Sequence, residues 1–250
     1  METARRKLSL KEIFKLGYSL HKDSLGVLFP LSFCLYLFLE IISLLSGKST
    51  SSAYSLVLIF LWLFAYTYYK AKQGGKLLTV KDLLFSSVID KSVFMKFLTT
   101  FLLMTIFLIL LFLLFIIPGV IFAVYWSFAV FVVLSRNLSG KQALDYSKRI
   151  VQGNWLTVFF LQVAGFTIQI VCLLPAEIIG ALTNSFVGTI ASSLTLGYVM
   201  PYLANVFLAG YLLLDTPLND VPSPPAGSAG PTNTATITNP IPTTTSISTS

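Results

Sequence analysis

The sequence holds little charge, one histidine and two cysteines. Charged residues make up 11% of its 250 residues, against about a quarter in ordinary soluble domains, and the apolar residues gather in long runs. This composition excludes a soluble enzyme, because too few polar side chains exist to cover a surface in water. His21, Cys34 and Cys172 are too few for a zinc site or a Cys–His nucleophile pair. We therefore expect a polytopic membrane protein with no metal, no cofactor and no enzymatic activity.

Six apolar segments approach the length of about 20 residues that a helix needs to cross the hydrocarbon core of a bilayer. They lie at 25–46, 53–69, 97–117, 120–134, 155–174 and 189–214. The sequence thus predicts an all-α fold, a bundle of six transmembrane helices.

The third and fourth segments belong to one uncharged run from Phe97 to Leu134, which as a single helix would extend roughly 57 Å. No bilayer is that thick. Proline lacks a backbone donor and glycine permits positive φ, so Pro118 and Gly119 predict a tight hairpin between two spans. The fourth span is then short. It either extends over Pro118 and Ser135 or is partly re-entrant.

The basic residues fall on one side of this predicted topology. Of the 17 Lys and Arg, Lys48 alone lies in the alternate links. Because basic links stay in the cytoplasm, we expect both termini to lie on the cytoplasmic side of a bacterial cytoplasmic membrane. We expect the basic residues to contact anionic lipid headgroups rather than nucleic acid. The predicted organisation is a basic segment over 1–24, a six-span domain over 25–214, and a disordered Pro/Ser/Thr-rich cytoplasmic tail over 215–250.

A short pattern recurs at 9–14, 79–84 and 139–144: a hydroxyl residue, a lysine two positions later, and an acid or amide three positions later. Each copy predicts a capped amphipathic helix in the cytoplasmic interface, followed by a span. In the first copy, the expected apolar face holds Leu10, Ile13, Phe14 and Leu20. In the third copy, it holds Ala143, Leu144, Ser147, Ile150 and Val151, with Gly153 ending the helix. The copies indicate either a pseudo-threefold repeat or the common appearance of capped helices near membranes.

Three stretches of the sequence carry a family resemblance. They are 117–121 (Ile-Pro-Gly-Val-Ile), 125–128 (Tyr-Trp-Ser-Phe) and 139–155, which includes Ala143, Leu144, Ser147, Gly153 and Trp155. The combination, with Trp126 and Ser127, resembles the glycerophosphoryl diester phosphodiesterase membrane-domain-like proteins. The resemblance implies a six-span helical bundle without diester hydrolysis, because catalysis in that family belongs to a separate soluble domain. Members often carry an acid just after the fourth span, where this chain has Ser135 and Arg136.

Four side chains with a carboxyl or amide group fall within the predicted spans: Glu40, Gln162, Gln169 and Asn205. By helical rise, Glu40 is expected at a depth similar to that of Gln169, and Gln162 at a depth similar to that of Asn205. Polar groups at this depth either form interhelical hydrogen bonds or line a functional pathway. Pro201 is expected to kink or interrupt the sixth span.

Two classes of function remain open on the sequence alone. The leading prediction is a non-enzymatic scaffold, a subunit that organises lipid or a protein partner, including a homo-oligomer. The alternative is a small transporter or permease-like subunit, whose polar pathway would run through Glu40, Gln162, Gln169 and Asn205 beside the Pro201 kink.

Overall fold

The computed structural model describes residues 7–46, 51–76, 78–85, 91–183 and 185–215, and within these ranges the regular structure is helical. The helices are α1 (Leu10–Ser46), α2 (Ser51–Gln73), α3 (Val80–Phe85), α4 (Lys91–Leu114), α5 (Ile116–Trp126), α6 (Ala129–Arg136), α7 (Gly140–Val151), α8 (Trp155–Leu182) and α9 (Ser185–Asp215). The predicted all-α fold is confirmed. The predicted tail, apart from Asp215, lies outside the described residues.

Five segments of the described chain are long and apolar enough to cross a membrane. They are Leu10–Ser43, Ser92–Leu114, Ile116–Arg136, Trp155–Leu182 and Phe186–Asp215. The chain is therefore a polytopic helical membrane protein. Helix α2 covers the predicted second span over 23 residues, and its crossing of the membrane stays a prediction.

The hairpin between the third and fourth spans turns three residues earlier than predicted. The helical path breaks at Phe115, whose backbone is extended (φ −155°, ψ 124°). Pro118 instead lies in the first turn of α5, where a missing N–H costs little. Gly119 is helical, so the turn does not use the positive φ that glycine permits. A Cβ on Gly119 would lie 2.7 Å from the Phe112 ring, so glycine at this position permits α4 and α5 to pack closely.

The fourth span is a broken helix. Helix α5 ends at Trp126, a turn follows at Ser127 and Phe128, and α6 continues from Ala129. Together α5 and α6 form a span of 21 residues, so this span extends beyond both predicted ends. The Ser127 hydroxyl donates to the Val124 carbonyl at 2.9 Å and satisfies one backbone acceptor at the break.

The first amphipathic segment is not a separate interfacial helix. It is continuous with the first span in α1, whose 37 residues extend roughly 55 Å. The residues between the two parts contain no helix stop, since Gly17 is helical and packs against α9. The predicted apolar face is nevertheless the packed one: Ile13 is fully buried, whereas Lys11 and Lys15 are exposed.

The other two pattern copies each start a helix, but their caps differ. At α3, the Asp82 carboxylate accepts the Thr79 backbone N–H at 2.9 Å, and the Asp82 N–H donates to the Thr79 hydroxyl. These bonds hold the pKa of the Asp82 carboxyl below its usual range. At α7, Ser139 makes no side-chain cap; the Gly140 N–H donates instead to Thr100 of α4 at 2.7 Å. The predicted third capping box is therefore wrong.

Helix α7 buries the face that its apolar pattern predicted. Ala143, Leu144, Ser147 and Val151 are buried, and Ile150 is partly buried. Gly153 has a φ of +99° just after the helix, as expected of a helix stop.

Helix α9 is at the centre of the bundle and packs most extensively against α1 and α8. A Cβ on Gly17 would lie 2.7 Å from Val206 Cα, and one on Gly197 would lie 3.0 Å from Phe33 Cα. Residue numbers thus increase along α1 in the direction in which they decrease along α9, so the two helices are antiparallel. Helices this close approach backbone to backbone, the geometry that small residues permit in membranes.

The basic segments meet at one end of the bundle, which we call the basic end. Lys72 at the end of α2 pairs with Asp23 of α1 at 2.6 Å, and Lys96 near the start of α4 donates to Asn137 after α6 at 3.0 Å. Leu8, before α1, donates its N–H to Asn154, before α8, at 2.9 Å. These contacts place the basic links together, as the predicted topology requires.

Candidate functional site

Asn205 is bonded between α1 and α9 rather than to Gln162. Its amide donates to the Ser24 hydroxyl of α1 at 3.0 Å and to the Pro201 carbonyl at 2.9 Å. Only 2% of Asn205 is exposed. Among the described residues no hydrogen bond joins Asn205 to Gln162. The similar depth predicted for these two residues therefore does not bring them into contact.

Pro201 lies within a continuous α9, which it does not interrupt. A proline removes the N–H that would bond to the carbonyl four residues earlier, here that of Gly197. The Ser32 hydroxyl of α1 lies 2.6 Å from this carbonyl oxygen. The neighbouring helix thus satisfies the acceptor that Pro201 leaves open.

Glu40 also contacts α9. The Ser192 hydroxyl donates to the Gly188 carbonyl of its own helix at 2.9 Å, and its oxygen lies 3.5 Å from the Glu40 carboxylate. Gln169 of α8 is half-buried, and no hydrogen bond joins it to Glu40 within the described chain. The expected contact between Glu40 and Gln169 is therefore not formed.

Gln162 lines a cavity of about 230 Å³. The other walls come from α2, α4, α9 and the broken fourth span; they are Trp62, Met104, Leu108, Ala123, Trp126, Ser127, Val130 and Phe207. Of the four polar candidates, only Gln162 lines this cavity. The four therefore do not form one continuous polar pathway in the described structure.

The residues that carry the family resemblance pack together where α7 and the start of α8 contact the broken fourth span. The Ser147 hydroxyl donates to the Tyr125 carbonyl at 2.7 Å, which ties α7 to the end of α5. Trp126 and Leu144 belong to one small apolar cluster, and the Trp155 indole donates to the Ile121 carbonyl at 3.4 Å. These residues act through packing and backbone hydrogen bonds.

Asp215, predicted as the first residue of the tail, is the centre of a polar cluster at the basic end. Its carboxylate lies 3.1 Å from Arg136 Nη2, and it accepts hydrogen bonds from Tyr146 at 2.5 Å and Tyr211 at 2.8 Å. Ser135 is in turn hydrogen-bonded to Tyr211. Burial and the bond to Asp215 raise the pKa of the Tyr146 phenol, so this hydroxyl remains a donor.

Electrostatics explain why Asp215 is tolerated at a helix end. An acid at a helix C-terminus is unfavourable, because the last carbonyls carry partial negative charge. Arg136 offsets that charge, and its guanidinium also lies 5.6 Å from the Tyr146 ring centroid.

His21 is a second residue whose setting the sequence did not reveal. It is 1% exposed, and its ring meets Tyr198 and Tyr202 edge-on at 5.0 Å and 5.5 Å. Neither ring nitrogen has a hydrogen-bond partner among the described residues. His21 therefore acts as a packed aromatic residue in the seam between α1 and α9.

The exposed face of α7 is cationic. It includes Lys141, Lys148 and Arg149 and one exposed acid, Asp145, so three positive charges face one negative charge. Lys148 Nζ lies 5.7 Å from the Phe122 ring centroid, and the Arg149 guanidinium lies 4.8 Å from that of Tyr146. Cations held over aromatic rings at the edge of the apolar spans form a surface suited to anionic groups.

Comparisons of the chain with protein families, with curated proteins and with solved structures found no match.

Proposed function

We propose that this chain is a non-enzymatic scaffold of the bacterial cytoplasmic membrane, which gathers anionic lipid at its basic end. In this proposal both termini are cytoplasmic, and the basic end faces the inner leaflet. A protein partner, including a second copy of the chain, would assemble on the same bundle. The family resemblance agrees with this role, since it implies a six-span helical bundle.

The observation that carries the proposal is that polar groups of the spans pair between helices α1 and α9. Asn205 bonds Ser24, Ser32 bonds the Gly197 carbonyl, and Ser192 contacts Glu40. Each of these pairs joins α1 to α9. Polar groups used in this way stabilise the bundle and leave no connected set for moving a polar substrate.

The cationic face of α7 supplies the lipid-binding surface. A basic side chain near an anionic leaflet contributes about 1 kcal/mol of binding. Lys141, Lys148 and Arg149 together therefore favour several anionic headgroups over zwitterionic ones.

The test measures which lipids remain bound. The protein is reconstituted in nanodiscs of equal phosphatidylglycerol and phosphatidylcholine, extracted in mild detergent and analysed by native mass spectrometry. We expect the bound lipid to be enriched in phosphatidylglycerol over phosphatidylcholine. In the variant K141Q/K148Q/R149Q this enrichment should be at least threefold lower. Gln142→Ala, on the same exposed face, is the control and should retain it. Equal retention of both lipids by the unaltered protein would overturn the proposal.

One observation favours the transporter alternative, namely the cavity that Gln162 lines between the spans. Proteoliposomes loaded with a pH-sensitive dye separate the two functions. A scaffold gives no proton flux above that of empty vesicles, with or without Glu40→Gln. A flux that Glu40→Gln abolishes while the variant remains folded would assign the chain to transport.

A further inference from the structure

We propose that the Asp215 carboxylate occupies a binding site for the phosphodiester of an anionic lipid headgroup, and that it competes with such lipids for this site. The site consists of Arg136, Tyr146 and Tyr211 at the basic end, and we call these three residues the anion cradle. The inference rests on the proposed lipid-gathering function and deepens it, because it assigns one headgroup position and a competitor within the chain itself.

Donors from three helices converge on this one carboxylate. Arg136 of α6 lies 3.3 Å from Asp215 Oδ2 through its Nε and 3.1 Å through its Nη2. The Tyr211 hydroxyl of α9 donates to the same oxygen at 2.8 Å, and the Tyr146 hydroxyl of α7 donates to Oδ1 at 2.5 Å. Both oxygens of the anion are therefore bonded.

The anion cradle matches a phosphodiester as well as it matches a carboxylate. Guanidinium groups bind carboxylates and phosphates through the same pair of donors, and phenol hydroxyls donate to either anion. A phosphodiester carries one negative charge and two free oxygens, as the Asp215 side chain does. Tyr211 is only 1% exposed, so its hydroxyl needs an acceptor within the protein or the ligand. An exchange of one anion for the other leaves no donor unsatisfied.

Asp215 is placed where it can leave the anion cradle. It is the last residue of α9, where the final carbonyls of a helix oppose an acid, and terminal helical turns open at little cost. The Arg136 side chain is 48% exposed. An incoming headgroup can therefore reach the guanidinium while Asp215 is still bound.

Tyr146 connects the anion cradle to the cationic face of α7. The guanidinium groups of Arg136 and Arg149 lie 5.6 Å and 4.8 Å from the centroid of this one ring. A headgroup held at Arg149 is therefore next to the cradle. The same two cations repel the positive choline group of phosphatidylcholine, so the site favours phosphatidylglycerol.

The test uses the nanodiscs and the native mass spectrometry of the scaffold experiment. Asp215→Asn removes the competing charge and should raise the enrichment in phosphatidylglycerol at least threefold. Asp145→Asn removes the same charge from the exposed face of α7 and is the matched control, whose gain should be at most half as large. Equal gains in the two variants would overturn the inference, because the overall change of charge would explain both.

An uncharged substitution determines whether the gain comes from the anion cradle. In the Asp215→Asn background, Tyr146→Phe removes one donor but keeps the aromatic ring, and it should lower the gain at least twofold. Tyr125→Phe removes a hydroxyl from a ring whose centroid lies 5.8 Å from Lys148 Nζ, and it should leave the gain within 1.5-fold. A gain that Tyr146→Phe leaves unchanged would refute the site.

A measurement on the unaltered protein does not depend on the folding of any variant. If a lipid displaces Asp215, the last turn of α9 opens. Its backbone amides should then exchange hydrogen at least threefold faster in phosphatidylglycerol nanodiscs than in phosphatidylcholine nanodiscs, with the last turn of α2, at the same end of the bundle, as the reference. Equal exchange in the two lipids would overturn the competition.

A second arm of this measurement separates a lipid from a soluble anion. Dimethyl phosphate, a soluble phosphodiester, is added to the phosphatidylcholine nanodiscs and should leave the exchange unchanged. Acceleration by dimethyl phosphate would overturn the assignment to a lipid.

The competition and the scaffold function fail in different ways. Equal retention of both lipids by the unaltered protein would overturn the scaffold function. An enrichment in the unaltered protein, together with equal gains in Asp215→Asn and Asp145→Asn, would overturn the competition alone.

Discussion

At the scale of single residues, the membrane makes every unsatisfied backbone group matter. Pro201 leaves the Gly197 carbonyl without its helical donor, and no water is present in the bilayer core to replace it. Ser32 replaces that donor from α1, and its single hydroxyl proton is shared with the Leu28 carbonyl of its own helix, 2.8 Å away. A proline on one helix and a serine on another therefore form one structural unit.

A double-mutant cycle tests this unit. Ser32→Ala should lower the free energy of unfolding by about 0.6 kcal/mol, the mean of interhelical hydrogen bonds in membranes. In a Pro201→Ala background the backbone N–H at 201 returns and bonds the Gly197 carbonyl. There Ser32→Ala should cost measurably less, with a coupling of about 0.5 kcal/mol in detergent unfolding titrations.

Ser193→Ala is the control for this cycle. Ser193 is fully buried on α9, and its hydroxyl has no hydrogen-bond partner among the described residues. Its removal should be neutral or stabilising. Identical costs for Ser32→Ala in both backgrounds would contradict the coupling.

The sequence identified the polar residues but not their partners. Glu40 and Asn205 were recognised because polar groups are rare in apolar runs, and depth was calculated from the helical rise. Depth does not determine which face of a helix meets which neighbour. Both residues consequently turned out to face α9 and α1, and the expected partners on α8 were wrong. Asp215 was missed because it comes after the apolar run ends.

At the scale of helices, glycines permit the close approach of α1 to α9. Gly17 and Gly197 mark two contacts at different heights along the seam. Gly26 lies on α1 between them, but a Cβ there would meet nothing within 4 Å. The same residue type on one helix thus has two different environments.

This difference gives a matched pair of substitutions. Gly17→Ala should destabilise the protein by about 1–3 kcal/mol, because the new Cβ would lie 2.7 Å from the Val206 backbone. Gly26→Ala should stabilise it by about 0.5–1 kcal/mol, because alanine has the higher helix propensity. Thermal unfolding in detergent measures both. Equal effects of the two substitutions would exclude the close seam.

Helix existence was predictable from sequence, but helix ends were not. Apolar runs located the spans, and the alternation of faces predicted the buried side of α7. The break at Phe115 carries no turn residue, so the Pro118–Gly119 pair was the only visible signal, and it pointed three residues too late. The continuity of α1 through Gly17 depends on packing against α9, which no local pattern contains.

At the scale of the whole molecule, the contacts bring the basic segments together at the basic end, but they do not determine which side of the membrane that end faces. The bias of Lys and Arg predicts that the basic end is cytoplasmic. The opposite end of the bundle includes Thr183, which is exposed at the end of α8.

Cysteine labelling in intact cells tests the orientation. With Cys34 and Cys172 replaced by alanine, a membrane-impermeant maleimide should label Thr183→Cys. It should not label Lys141→Cys, on the exposed face of α7, until the cells are permeabilised. The reverse pattern would invert the topology, and labelling of both sites in intact cells would exclude an arrangement with all basic links inside.

The length of α1 has a mechanical consequence. This helix is unbroken from Leu10 to Ser46 and is longer than the roughly 30 Å of a hydrocarbon core. Its close contacts with α9 extend from Gly17, near one end, to Glu40, near the other. The two ends of α1 therefore cannot shift independently, and a displacement of the Lys11 end is transmitted along the helix to the Glu40 end.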